Sequence, residues 1–270
     1  MDKKLYFLHI PKTAGKFISA NIKNALEKNN IPFYISTHYP NNSEFLKSKV
    51  YISAHAGTYP INLIDGIDVA TIVRDPVSAR ASYFNFIYPF YLKEREEYSK
   101  LNTIREKFLY YLFEDKNFLI HNNYQSRFIC NPADERSWNL KRFYEADGVS
   151  LMKKYYEGKG FDWFVSDDNT SLELAIKNIS NFKIKNTIDN IDLFVKNIQD
   201  WFIENYKIEI PFDMNKKINV GLTEYDNKKT NSLEIMSLLN NKEVDKLIEL
   251  NSIDYQIYKI INDEEKNGKK

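Results

Sequence analysis

Length, composition and charge narrow the class of protein before any motif is considered. The chain has 270 residues, 43% of them hydrophobic and 15% aromatic, which is enough for a sizeable core and excludes wholesale disorder. Thirty-eight Lys and Arg against 37 Asp and Glu leave a net charge of +1, which argues against a protein that coats nucleic acid. A local basic pocket is compatible with this balance. We predict a single domain over 1–270.

Cysteine content and the first residues bear on where the protein works. Cys130 is the single cysteine, which excludes an intramolecular disulfide and any multi-cysteine zinc or iron–sulfur site. The opening apolar run is interrupted at Pro11 and Lys12, too early for a signal peptide or a membrane span. We therefore expect a soluble, cytoplasmic protein that has no membrane partner.

The chain begins by alternating short apolar runs with amphipathic stretches. The run LYFLHI at 5–10 predicts a strand, and a helix is expected from Phe17 to about Lys28. Further short strands are predicted at 33–36 and 50–54. The connection over 11–16 therefore lies between a strand and a helix.

The next strand is the clearest in the sequence. DVATIV at 68–73 is rich in β-branched residues and does not alternate, which is typical of a strand buried on both faces. Asp75 and Pro76 then predict a helix start, because Asp caps a helix and Pro needs no N–H at the first helical position.

The second half continues the alternation of helices and strands. We predict mostly helix over 99–130, a helix over 171–179, a short strand over 182–184, and helices over 192–205 and 242–261. This alternation indicates an α/β, P-loop-like three-layer fold with a central parallel sheet flanked by helices. Ligands of such sheets bind at the carboxyl ends of the strands, where the loops at 11–16 and 74–76 both lie.

The first of these loops has the chemistry of an anion site. PKTAGK at 11–16 places lysines beside a helix N-terminus, where backbone N–H groups attract anions. It is not a Walker motif, since Ile10 stands at the first glycine position and Phe17 at the Ser/Thr position that would hold Mg²⁺. A Mg-nucleotide kinase is therefore disfavoured, and an unliganded turn is the plain alternative. The candidate ligand-binding residues are Lys12, Thr13, Ala14, Gly15 and Lys16.

The second loop adds a guanidinium where a strand meets a helix. Arg74 precedes the predicted helix start, and Ser82 lies two helical turns further on. An Arg and a hydroxyl near a helix start are suited to a second phosphate group.

Together these segments resemble the sulfotransferases that use 3′-phosphoadenosine-5′-phosphosulfate (PAPS). FLHIPKTAG at 7–15 resembles their 5′-phosphosulfate loop, in particular that of the carbohydrate O-sulfotransferase branch, and TIVRDPVSARASYF at 71–84 resembles their 3′-phosphate segment. YISAHAG at 51–57 is similar to the strand that ends in their catalytic base, and NNYQSRFIC at 122–130 to their Asn-x-Gln-x-Arg segment. ELNSIDYQIYKII at 249–261 resembles their closing helix, so the resemblance runs almost from end to end.

The resemblance implies a role for each matching residue. His55 is the expected base for the acceptor hydroxyl, and Lys12 the expected catalytic cation on the oxygen between phosphorus and sulfur. Arg74 and Ser82 are expected to bind the 3′-phosphate, while Gln125 and Arg127 are candidate acceptor-binding residues. The implied reaction transfers the sulfuryl group of PAPS to a carbohydrate hydroxyl, releases PAP and uses no metal or nucleic acid.

One departure keeps other functions open. The Thr-Ser pair that follows the loop glycine in that family is Lys16-Phe17 here, so that a charge replaces two hydroxyl groups. A small-molecule kinase with a degenerate P-loop, or a non-catalytic protein that binds the nucleotide, are the alternative interpretations.

Overall fold

A five-stranded parallel sheet forms the centre of the molecule. The computed structural model describes residues 3–36, 43–89, 92–116, 122–132, 169–214, 223–225 and 228–268. The strands are β1 (Leu5–Leu8), β2 (Phe33–Ile35), β3 (Tyr51–Ala54), β4 (Asp68–Val73) and β5 (Ile184–Thr187). Their order in the sheet is β2-β3-β1-β4-β5, with every pair parallel. The predicted α/β fold with a central parallel sheet is confirmed.

Helices surround this sheet. Within the described residues they are α1 (Gly15–Lys28), α2 (Ser43–Lys47), α3 (Tyr59–Leu63), α4 (Pro76–Ile87), α5 (Glu96–Ser99), α6 (Ile104–Phe113), α7 (Tyr124–Cys130), α8 (Leu172–Ser180), α9 (Ile191–Tyr206), α10 (Ser232–Met236), α11 (Asn241–Leu250) and α12 (Ser252–Asn267). A separate antiparallel pair consists of β6 (Thr223–Tyr225) and β7 (Lys228–Thr230). None of the helices in the described part of the chain combines the length and hydropathy needed to cross a bilayer.

The two faces of the sheet are covered by different helices. Leu5 and Phe7 of β1 belong to a core with α1 and α9, which supply Ile18, Ile22 and Phe194 among others. The alternate residues of β1, Tyr6 and Leu8, belong to the opposite core with α7, α8 and α12. Side chains of a strand alternate between faces, so β1 is buried on both sides and the fold has three layers. Helices α4, α6, α10 and α11 enclose a further apolar cluster around Phe84.

The topology places three loops at one edge of the sheet. β1 is central, and Leu8 at its end lies opposite Ala54 of β3 and Thr71 of β4. The chain therefore leaves β1, β3 and β4 on the same side. The connection after β1 leads toward β2, whereas the connection after β3 leads to β4 on the other side of β1. Such a switch point opens a crevice at the carboxyl ends of the strands.

Two predicted elements differ from those in the structure. The helix expected over 242–261 is two helices, because the chain bends at Asn251, whose φ and ψ are −117° and 37°. The strand expected over 182–184 is β5, which begins at Ile184 and continues through the polar residues to Thr187. Elsewhere the predicted helix start at Asp75 is confirmed, since its carboxylate accepts the Ser78 N–H at 2.8 Å.

Candidate functional site

The loop between β1 and α1 turns sharply before the helix. Lys12 and Ala14 have φ values of 67° and 65°, in the left-handed region that costs free energy for residues other than glycine. Ala14 is the N-cap of α1 and offers no side-chain cap, and its carbonyl accepts the Ile18 N–H at 3.2 Å. The N–H groups that precede Ile18 in the first turn have no intrahelical acceptor, which is the arrangement that binds anions at helix starts.

Glycine is the only residue type that fits at position 15, the start of α1. A Cβ atom there would lie 1.7 Å from Nε2 of His9 and 2.0 Å from its Cδ2. The His9 ring cannot easily move away, because it stacks on Phe7 with centroids 5.6 Å apart and meets the His55 ring edge-on at 4.3 Å. Burial, assisted by the charge of Lys16, lowers the pKa of His9 to about 3, so this imidazole is a neutral packing surface beneath the loop.

The other predicted residues of this loop are used in different ways. Thr13 is fully buried, and its hydroxyl donates to the Ile10 carbonyl at 2.7 Å, which closes the turn. Lys16 is exposed in the first turn of α1. Phe17 is buried and packs on the ring of Phe212, with centroids 6.1 Å apart.

Lys12 is held close to other cations. Its Nζ lies 4.4 Å from the centroid of the Phe86 ring, within cation–π distance. Burial and, after it, the charges of Lys16 and Arg74 lower the pKa of Lys12 to about 8. A bound anion would oppose both causes, because it neutralises the charge that its neighbours repel.

Arg74 directly follows β4 and reaches across to the first loop. Its Nη1 donates to the Lys12 carbonyl at 3.3 Å, and its Nε donates to Oγ of Ser78 at 2.8 Å. These two bonds fix the plane of the guanidinium, and its other N–H groups hydrogen-bond no residue in the described ranges. Asp75 and Asp189 are its acidic neighbours, and burial lowers the pKa of Arg74.

Helix α4 carries the remaining residues of the second loop. Ser82 is buried on this helix, and its hydroxyl makes no hydrogen bond to any residue that the structure describes, so its contact with a 3′-phosphate stays a prediction. Arg80 is almost fully buried, and its guanidinium lies 4.8 Å from the centroid of the Tyr111 ring. Its side chain is therefore part of the helical cluster around Phe84 and is not a surface charge.

Gln125 contacts the second loop from the first turn of α7. Its side-chain nitrogen donates to the Arg74 carbonyl at 2.8 Å, while its side-chain oxygen accepts the Arg74 N–H at 2.9 Å. Both polar atoms of this buried amide are thus engaged by one residue, which favours a structural role beside the predicted acceptor contact. Arg127, two residues further on, is half-buried, and its acceptor contact also stays a prediction.

His55 follows β3 and lies between His9 and helix α7. Its ring contacts that of His9 on one side and lies 6.3 Å from Phe128 of α7, centroid to centroid. The chain then turns at Gly57, with φ 53°, where a Cβ would lie 2.0 Å from the Asn131 carbonyl. Tyr6 adds a hydrogen bond from its hydroxyl to the Gly57 carbonyl at 2.8 Å. These contacts fix His55 next to the β1–α1 loop.

Three predicted residues thus lie at the ends of three adjacent strands. Lys12 follows β1, His55 follows β3 and Arg74 follows β4. The Arg74 side chain contacts the Lys12 carbonyl, and the His55 ring contacts His9, which precedes Lys12 in the same connection. His55 and Arg74 therefore follow the two strands that flank β1 in the sheet.

Sequence reasoning missed the residues that hold these groups in place. Ser78 orients Arg74, the Tyr124 hydroxyl donates to the Pro11 carbonyl at 3.0 Å, and Asp254 accepts the N–H groups of Gln125 and Ser126. Only Ser78 carried a local signal, since it lies one turn after Arg74 in the predicted helix start. The other contacts join residues more than a hundred positions apart, which no spacing rule reveals.

Comparison with known proteins adds no family assignment. No protein-family model and no curated protein matches this chain. The described residues also contain no group of three or more His, Cys, Asp or Glu side chains able to hold a metal ion. The resemblance to sulfotransferases therefore depends on the motifs themselves and on the geometry given above.

Proposed function

We propose that the chain is a nucleotide-dependent transferase, and more specifically a sulfotransferase that moves the sulfuryl group of PAPS to a carbohydrate hydroxyl. The observation that carries this proposal is the hydrogen bond from Arg74 to the Lys12 carbonyl at 3.3 Å. It joins two cationic strand-to-helix loops at the switch point of a parallel sheet, and PAPS is a nucleotide that has anionic groups at both its 5′ and 3′ positions.

Each group then has a chemical task. The N–H groups of the α1 start and Lys12 hold the 5′-phosphosulfate, and Arg74 with Ser82 holds the 3′-phosphate. The acceptor oxygen attacks sulfur, the bond from sulfur to the phosphate oxygen breaks, and PAP leaves. The hydroxyl proton passes to the imidazole of His55, and Lys12 stabilises the negative charge that develops on the leaving oxygen.

The kinase alternative is weakened by the residue at the position of the metal-binding hydroxyl. Phe17 occupies that position, is buried, and packs on Phe212. A P-loop kinase uses a Ser or Thr hydroxyl there as a ligand for Mg²⁺. The proposed sulfuryl transfer needs charge stabilisation at the leaving oxygen, which Lys12 supplies.

A cytoplasmic setting, inferred from the single Cys130, is part of the proposal.

The test is a comparison of nucleotides followed by a turnover assay. PAP at about 100 times its dissociation constant should stabilise the protein by roughly 2.7 kcal/mol, and AMP, which lacks the 3′-phosphate, should do so less. PAPS should then be converted to PAP in the presence of a carbohydrate acceptor, with or without EDTA. Stabilisation by ATP and Mg²⁺ alone would identify a kinase. Binding of PAP without transfer to any glycan or small alcohol would identify a non-catalytic binding protein.

A further inference from the structure

The first turn of α7 contacts both loops of the candidate site. The Tyr124 hydroxyl donates to the Pro11 carbonyl in the β1–α1 loop at 3.0 Å. The side-chain amide of Gln125 makes two hydrogen bonds to the backbone of Arg74, at 2.8 and 2.9 Å. Two consecutive residues of one helix thus connect loops that are separated by 62 positions in the chain.

This turn is itself fixed from behind by α12. The buried Asp254 carboxylate accepts the N–H groups of Gln125 and Ser126 at 3.1 and 2.7 Å, and the Ser126 hydroxyl at 2.6 Å. In return, the Asn123 side-chain oxygen accepts the N–H groups of Ile253 and Asp254 at 2.9 and 3.2 Å. Each helix start caps the other, so the Gln125 amide is presented from a rigid support.

The backbone of Arg74 depends on this amide. Arg74 lies between the last residue of β4 and the N-cap of α4, so its N–H and carbonyl belong to neither the strand ladder nor the helix. In the part of the chain that the structure describes, Gln125 is the only partner of these two groups. Without it, both groups lose their partner, and only the side-chain hydrogen bonds to Lys12 and Ser78 still hold Arg74 in place.

We propose that Gln125 is a positioning residue for Arg74, and that it thereby sets the preference of the site for a nucleotide with a 3′-phosphate. The identity of the nucleotide rests on the proposed function, whereas the hydrogen bonds to Arg74 do not. Tyr124 acts in parallel on the β1–α1 loop and therefore on the 5′ side of the ligand. Gln125, being 1% exposed, acts through Arg74 and not by touching the acceptor.

The first experiment uses the protein without any nucleotide. Hydrogen exchange of the Arg74 amide, followed by NMR, should be at least about tenfold faster in Gln125→Met, which keeps the side-chain length and removes both hydrogen bonds. The control is Asn178→Leu, which removes a side-chain hydrogen bond of 2.8 Å to the Ile129 carbonyl at the other end of α7. It should leave the Arg74 amide unchanged. Equal exchange in Gln125→Met and the parent protein would overturn the proposal.

The second experiment compares binding of PAP and AMP. Gln125→Met should weaken PAP binding by about tenfold while AMP binding changes little, because only PAP uses Arg74. Tyr124→Phe should weaken both nucleotides by a similar factor. In an Arg74→Ala background, Gln125→Met should have no further effect on PAP binding, since the guanidinium that Gln125 positions is gone. An additive loss there, or a raised KM for the acceptor with unchanged PAP affinity, would refute the positioning role.

A second variant covers the case in which Gln125→Met does not fold. Gln125→Glu has the same shape, and its protonated carboxyl can donate to the Arg74 carbonyl as the amide does. Its preference for PAP over AMP, relative to the parent protein at each pH, should therefore increase as pH falls; a constant ratio would contradict the proposal. If the parent protein binds no PAP, the proposed function fails, and the exchange rates of Arg74 in the ligand-free variants still decide whether Gln125 positions it.

Discussion

Gly15→Ala is the most direct test of how the site is packed. An added Cβ would lie 1.7 Å from Nε2 of His9, so either that ring or the start of α1 has to move. The ring is confined by Phe7 and His55, at centroid distances of 5.6 and 4.3 Å. Overpacking of this kind costs roughly 1–3 kcal/mol. Alanine in place of glycine recovers about 0.5–1 kcal/mol of backbone entropy in a helix. The overpacking cost is larger, and we expect a net destabilisation of about 1–2 kcal/mol.

The assay is urea unfolding of single and double variants. If the His9 ring causes the cost, Gly15→Ala should be neutral or stabilising in a His9→Ala background, which gives a coupling energy of about 1–3 kcal/mol. Gly66→Ala is the control, because its φ of 68° is strained while nothing lies within 4 Å of the new Cβ. Its cost should be the same in both backgrounds. A Gly15→Ala protein as stable as the parent would refute the reasoning.

Three further outcomes are expected from the charges and bases of the site. The pKa of Lys12 is lowered to about 8, so the free protein loses this positive charge as pH rises through 8. Calorimetry from pH 6.5 to 9.5 should therefore show PAP affinity falling over that range, and Lys12→Arg should remove the pH dependence. A PAP affinity that does not change with pH in the parent protein would contradict this prediction. Arg74→Ala should weaken PAP binding about tenfold or more and AMP binding much less, as measured by titration, and equal losses would remove Arg74 from the 3′-phosphate site. His55→Ala should reduce PAPS turnover by roughly 10²–10⁴-fold with nearly unchanged PAP affinity, and full activity would end its assignment as the base.

Local rules were sufficient for the strands and helix starts that form the edge of the site. The end of β4 and the start of α4 were predictable because Asp75 and Pro76 act within one turn of the chain, as a cap and as a first helical residue. The β1–α1 connection was equally local, since an apolar run, a short polar loop and an amphipathic stretch are consecutive in the sequence.

Elements that depend on distant partners were predicted less well. The polar half of β5 was missed because Asn186 and Thr187 are not hydrophobic and so do not extend the apolar pattern of the strand. Their side chains both hydrogen-bond the buried carboxylate of Glu265 at 2.8 Å. The end of α11 at Asn251 was missed because it involves a distant residue. The Asn251 side-chain oxygen accepts the Asn123 N–H at 3.0 Å. In both places the deciding partner lies at least 78 positions away in the chain.

The same distinction applies to the site residues. The sequence placed Lys12, His55 and Arg74 at one end of the sheet because each follows a predicted strand, and a parallel sheet brings strand ends together whatever the distance in sequence. Their roles came from the resemblance and stay predictions. Tyr124 and Asp254 were not found, since hydrogen bonds to a backbone carbonyl or to a helix start leave no residue pattern. Gln125 was found for the acceptor, yet its contacts are with Arg74.

Three unfavourable features meet in the β1–α1 loop, and one kind of ligand offsets two of them directly. Lys12 and Ala14 have positive φ values, each of which costs of order 1–3 kcal/mol. Burial and the neighbouring cations Lys16 and Arg74 disfavour the charged form of Lys12. The N–H groups at the start of α1 have no side-chain cap. An anion in this loop would supply the missing acceptor for those groups and the opposite charge for Lys12. These costs support the proposal that the loop binds a phosphate or sulfate group.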